Sequence, residues 1–205
     1  MDQLAFAPAI DSSPGYTCPS MPVIISMLRG VNVGGHNKIK MDALRALYAS
    51  LKLREPQTLV HSGNVVFKTE EKDLARLSTR IQDAIERSAG FRPDVILRTV
   101  SELRSAIAKS PFAKRRDIDP SKLLVTFLAG IPTPEARKKA LAIEAGPDEL
   151  HIVGRELYIY FPDGLARPKL TWPHLERALK LSGTGRNWNT VTKLLEIAEN
   201  LESSS

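Results

Sequence analysis

Residues 28–41, LRGVNVGGHNKIKM, concentrate the groups best suited to holding an anion. Gly30, Gly34 and Gly35 let backbone N–H groups approach a bound oxygen closely. Asn32, His36 and Asn37 add polar side chains, and Arg29, Lys38 and Lys40 add positive charge. A helix starting directly afterwards would add its N-terminal N–H groups and dipole, which favour a phosphate or carboxylate. The segment is not a P-loop, because the Gly-Lys-Ser/Thr ending is missing, and it contains no Gly-x-Gly-x-x-Gly. The competing reading is a strand-to-helix turn in which the glycines supply positive φ and the lysines are simply solvated.

Other reactive residue types form no complete constellation. His61 and Ser62 are adjacent, so in an extended chain they point to opposite faces and cannot act as base and nucleophile. An enzyme using His36 or His61 as a single acid–base group therefore ranks below a binding protein, and no catalytic residue is assigned. The four histidines, His36, His61, His151 and His174, lack metal-ligand spacing, and a single Cys18 supplies no cysteine cluster or intrachain disulfide. Neither a metal nor a cofactor is expected. Near the C-terminus, GTGRNWNTV places Arg186 just before a helix, where a cation opposes the dipole and calls for an acidic or anionic partner.

The elements that must carry these residues follow from periodicity. Pro22–Leu28 is an almost continuous apolar run, as in a strand covered on both faces. Leu44, Leu47, Tyr48 and Leu51 mark one face of a helix over about residues 41–52. TLVHSGNVVF reads as a hairpin with a Ser62-Gly63-Asn64 connection, followed by a helix from Leu74 to Gly90 and a strand Asp94–Thr99. That order is β-α-β-β-α-β, the ferredoxin-like split pattern. It nearly recurs. A short helix capped by Ser101 precedes the strand Leu123–Leu128. Thr133-Pro134 starts a helix, and Glu149–Val153 with Glu156–Phe161 forms a second hairpin. Helices near Pro173–Leu181 and Thr190–Leu201 close the chain.

The fold class expected is thus α+β, with tandem ferredoxin-like halves, the second lacking its final strand and ending in two helices. The strand 2–3 hairpin then lies at the exit of strand 1, bringing Ser62 and Asn64 to the glycine loop. The open sheet edge of an incomplete second half would favour a homodimer.

Composition agrees with a globular chain: 205 residues, 42% hydrophobic and 25% charged, with a formal charge of +6. No apolar run approaches the roughly 20 residues of a membrane span. The positive excess divides evenly between the two halves of the chain, so no basic arm identifies a partner. Residues 1–20 carry no basic residue and contain Pro8, Pro14 and Pro19, which suits a disordered extension, with Met21 as the natural start. Residues 21–100 and 101–205 then form the two halves. A nucleic-acid partner would use the clusters Lys114-Arg115-Arg116 and Arg137-Lys138-Lys139, with Tyr158 and Tyr160 stacking bases. The RNP1 pattern is absent.

LRGVNVGGHNKIKM, HSGNVVF and RNWNTVTKLLEI, together with PDG at 162–164 and KLT at 169–171, resemble the bacterial domain-of-unknown-function 1697 family. The resemblance implies a duplicated ferredoxin-like architecture and carries over no activity, cofactor or catalytic residue. Pro168 stands where a serine is common in that pattern, and Gly185 where a threonine is common. The resulting expectation is a cytoplasmic, cofactor-free protein that holds a small anionic or phosphorylated ligand. Arg29, Asn32, Gly34, Gly35, Lys38 and Lys40 would contact the anion, with His36, Ser62, Asn64 and Arg186 as polar supplements.

Overall fold

The structure, a computed structural model, describes residues 21–164 and 169–204. The expectations for residues 1–20 lie outside the described residues. The first half runs β1 (Val23–Leu28), α1 (Met41–Ser50), β2 (Arg54–Leu59), β3 (Asn64–Lys68), α2 (Leu74–Ala89) and β4 (Val95–Thr99), and the helix α3 (Val100–Ala108) follows it. The second runs β5 (Leu123–Leu128), α4 (Pro134–Leu141), β6 (Glu149–Val153), β7 (Glu156–Tyr160), α5 (Trp172–Leu179), β8 (Gly183–Asn187) and α6 (Trp188–Ser203). Two four-stranded antiparallel sheets result, ordered β2-β3-β1-β4 and β6-β7-β5-β8, with six α-helices among the described residues.

The second half therefore possesses the strand expected to be missing. β8 pairs antiparallel with β5, from Leu128 opposite Gly183 to Leu124 opposite Asn187. Its sequence, GTGRN, has neither alternation nor strand propensity; packing imposes the strand. A Cβ on Gly183 would lie 2.8 Å from the Trp172 ring and 3.0 Å from Thr126, so only glycine lets the backbone approach there. With β8 in place, a missing strand no longer provides a reason to expect a homodimer.

All six residues of β1 are buried because both faces of its sheet are covered. Ile24 and Leu28 join Phe67, Leu44, Tyr48, Leu77, Ile81 and Ile85 beneath α1 and α2. Val23, Ile25 and Met27 face the other way, into a core shared with Val125, Phe127, Leu103 of α3 and Leu194 of α6. A third core joins Leu157 and Ile159 to Leu175 and Leu179 of α5. The two halves thus meet through sheet faces, with α3 and α6 contributing to the seam.

Local signals set the helix ends. Asp73 accepts from the backbone N–H groups of Ala75 and Arg76, and Gly90 closes α2 at φ +76°. Thr133 caps α4 ahead of Pro134. The cap of α3 is Thr99 and not Ser101: Thr99 Oγ1 accepts from the Glu102 N–H, and the Glu102 carboxylate accepts from the Thr99 N–H. Ser101 sits inside the first turn.

Candidate functional site

The end of β1 and the β2–β3 hairpin are tied together by the Leu28 N–H, which donates to the Gly63 carbonyl at 2.9 Å. Beyond it, Val31 buries itself under α1 and anchors the loop. Asn32, at φ +57°, braces the rest. Its Nδ2 donates to the carbonyls of Ile39 (3.0 Å) and His61 (2.8 Å), and its Oδ1 accepts from the Ile39 N–H (2.9 Å). Asn37 Nδ2 donates to the Gly30 carbonyl at 3.1 Å. The loop is therefore held by its own amides and by the hairpin.

This bracing opens a hollow of about 780 Å³ lined by Asn32, Gly35, Lys38, Lys40, Met41 and His61, together with Ile39 and Asp42. The N-terminus of α1 faces the same residues. Its N-cap, Lys40, makes no side-chain capping bond, so the first-turn N–H groups lack the side-chain acceptor found at α2 and α4. Lys38 and Lys40 are exposed and in no salt bridge among the described residues, whereas Asp42 is paired with Arg45. Free ammonium groups beside unsatisfied N–H donors suit an anionic ligand.

Of the ten residues proposed from the sequence, Asn32, Gly35, Lys38 and Lys40 line the hollow. Gly34 and His36 are exposed at the loop's tip, outside its lining. Ser62 and Asn64 are internal to the hairpin: Asn64 is buried and its Nδ2 donates to Ser62 Oγ at 3.0 Å. Arg29 forms a bidentate pair with Glu176, at 2.6 and 2.8 Å, and meets Asp94 at 3.3 Å. Hydrogen bonding to Glu176 raises its pKa despite partial burial.

Arg186 belongs to β8 and is only 7% exposed. Among the described residues its acceptors are all neutral: Asn64 Oδ1 for Nε, Thr184 Oγ1 (2.7 Å) and the Gly185 carbonyl (2.8 Å) for Nη1, and the carbonyls of Leu28 (2.7 Å) and Ser62 (3.1 Å) for Nη2. The acidic partner expected from its position is not found among the described residues. Burial pushes its pKa down to about 10, which still leaves it charged at neutral pH. Arg186 thus grips the base of the loop and hairpin from the other half of the chain.

Ile39, Met41, Asp42 and His61 also line the hollow and are not among the ten; the signal for His61 is its place at the hairpin turn beside Ser62. Tyr158 and Tyr160 cannot stack bases, because they are 0% and 8% exposed within the shared core, and Tyr158 Oη donates to the Ala106 carbonyl at 2.7 Å. Arg115, in one of the two basic clusters, is committed to Asp117 and Glu149. Among the described residues, no group of three His, Cys, Asp or Glu is placed to hold a metal, and no helix is long and apolar enough to cross a membrane.

These residues build an α+β protein whose cationic hollow stands at the exit of the first strand. The chain belongs to the family described as "Protein of unknown function (DUF1697)", which it matches over residues 21–158, hollow included. Its fold is similar to that of the conserved bacterial protein SP0830 from Streptococcus pneumoniae. The TM-score is 0.67 over 87% of this chain and 99% of that one, at 18% identity. At that identity the likeness carries the fold alone. No curated protein matches the chain.

Proposed function

We propose that the chain is a cofactor-free cytoplasmic protein of two ferredoxin-like halves that binds a small phosphorylated ligand, such as a nucleotide, in the hollow beside α1. The observation that carries this reading is the pairing of two unengaged lysines, Lys38 and Lys40, with a helix N-terminus that no side chain caps. The volume, about 780 Å³, lies within the range of ligand sites and accommodates a mononucleotide. Asn32 serves as the brace that fixes Lys38 and Ile39 against the hairpin, and Gly35 leaves its backbone accessible. His61 adds a polar edge from the hairpin.

Calorimetry with pyrophosphate, ADP and ATP tests the reading, comparing the native chain with Lys38→Ala/Lys40→Ala. A charge-assisted hydrogen bond contributes about 1.5–3 kcal/mol, so the double variant should bind at least about tenfold more weakly. Absence of saturable heat with all three ligands, or equal affinity in the double variant, would overturn it.

A further inference from the structure

A second concavity, of about 330 Å³, lies between the opposite side of the glycine loop and α5. We propose that it binds a small planar molecule bearing a carboxylate, an aromatic acid, at a site separate from the hollow beside α1.

The equivalent strands β4 and β8 differ in what they present to the helices over them. In β4, Val95 lies opposite Leu28 and Leu97 opposite Ser26, and both side chains fill the core under α1 and α2. In β8, the residues opposite Leu128 and Thr126 are Gly183 and Gly185. The Trp172 ring occupies the space over Gly183, while Gly185 stays exposed on the floor of the cleft with the Leu124 side chain beside it, 3.2 Å from where a Cβ would stand. Leu124, Ile159, Phe161 and Leu175 supply apolar walls. Trp172 and Leu124 take only part of the place of the missing side chains, and an apolar-sided slot remains where the first half has a filled core.

Two polar features specify the occupant. Trp172 lines the cleft, and its Nε1 is buried with no hydrogen-bond partner among the described residues. A buried indole N–H normally has an acceptor, and leaving it unmade is costly. Arg186 lines the same cleft, buried and without a carboxylate among its partners. The charge of Arg29 at the rim is already matched by Glu176 and Asp94. An oxygen acceptor complements the orphaned indole N–H, and its negative charge balances that of Arg186, whose five N–H groups are already donated to neutral acceptors; a flat apolar body suits the walls.

The chain has two tryptophans, so a ¹⁵N-labelled sample gives two indole N–H signals, which Trp172→Phe assigns. Titration with benzoate should shift the Trp172 signal saturably, at concentrations up to about 10 mM as befits a fragment of this size, and leave Trp188 unmoved. Benzyl alcohol, the neutral counterpart, should bind at least about tenfold more weakly, and pyrophosphate should not move Trp172. Gly185→Leu, which restores the side chain found in β4, should abolish the benzoate response while retaining the native dispersion of amide signals. If that variant misfolds, Trp172→Phe serves instead: the Gly185 amide should then report benzoate affinity reduced at least about threefold. No saturable shift with benzoate, or equal responses to benzoate and benzyl alcohol, would overturn the proposal. Because pyrophosphate reports on the other hollow, the two sites fail independently.

Discussion

Arg98 in β4 and Arg186 in β8 make the same reach in opposite directions across the seam between the two halves. Arg98 lies opposite Ile25 of β1 and Arg186 opposite Val125 of β5. Arg98 Nη2 donates to the Leu128 carbonyl at 2.9 Å; Arg186 Nη2 donates to the Leu28 carbonyl at 2.7 Å. Each Nε binds the first residue of the other half's third strand, Glu156 for Arg98 at 3.2 Å and Asn64 for Arg186. Each Nη1 also covers the carbonyl of the preceding residue, Leu97 or Gly185, on an edge strand. Such coverage blunts an edge that would otherwise offer itself for strand pairing. The two sites differ in charge: Glu156 balances Arg98, and a neutral amide faces Arg186. Because Leu28 and Asn64 root the glycine loop and hairpin, the hollow depends on a residue from the opposite half.

The charge difference predicts unequal losses. Arg98→Met leaves the largely buried Glu156 carboxylate without its partner, and urea unfolding should show a loss of about 3–5 kcal/mol. Adding Glu156→Met should recover part of that loss, since replacing both members of a buried pair is far less costly than removing one. Equal stability of the single and double variants would refute the pairing as the source.

Gly63 and Gly90 both have positive φ, +69° and +76°, but different surroundings. A Cβ at Gly63 would lie 2.8 Å from Leu28 Cβ, while one at Gly90 meets nothing within 4 Å. Gly90→Ala should therefore cost about 1 kcal/mol, from backbone strain alone. Gly63→Ala adds a clash against a buried strand and should cost about 2–4 kcal/mol. Matched urea midpoints for the two variants would contradict this account.

Tyr158→Phe removes the hydroxyl that donates to the Ala106 carbonyl and leaves a buried acceptor unmet, at a cost of about 1–3 kcal/mol. The same substitution should leave retention on immobilised oligonucleotides unchanged at every salt concentration, because the ring is inside the shared core. Loss of retention without loss of stability would return the ring to the surface.

Much of the framework is legible in local sequence because its causes are local. VIISML announces a strand buried on two faces, and Thr133-Pro134 and Gly90 mark helix ends through their own conformational preferences. β8 is illegible for the opposite reason. Its first glycine, Gly183, is required by Trp172 and Thr126, which only the fold brings within reach. The loop at 29–40 announces a cationic turn, but its sorting into lining and bracing residues depends on long-range bonds. Asn64 meets Arg186 across 122 positions and Arg29 meets Glu176 across 147, so two cations that read as ligand contacts prove to be engaged with the protein itself. Lys38 and Lys40 remain available because no carboxylate is folded against them among the described residues.

The most direct test of anion binding at α1 is a ¹H–¹⁵N titration of the full chain with pyrophosphate at constant ionic strength. The account predicts saturable shifts concentrated at the amides of Gly35, Met41, Asp42 and Ala43, lost in Lys38→Ala/Lys40→Ala. Unsaturable shifts, or shifts centred on Arg137–Lys139 that survive in the double variant, would contradict it.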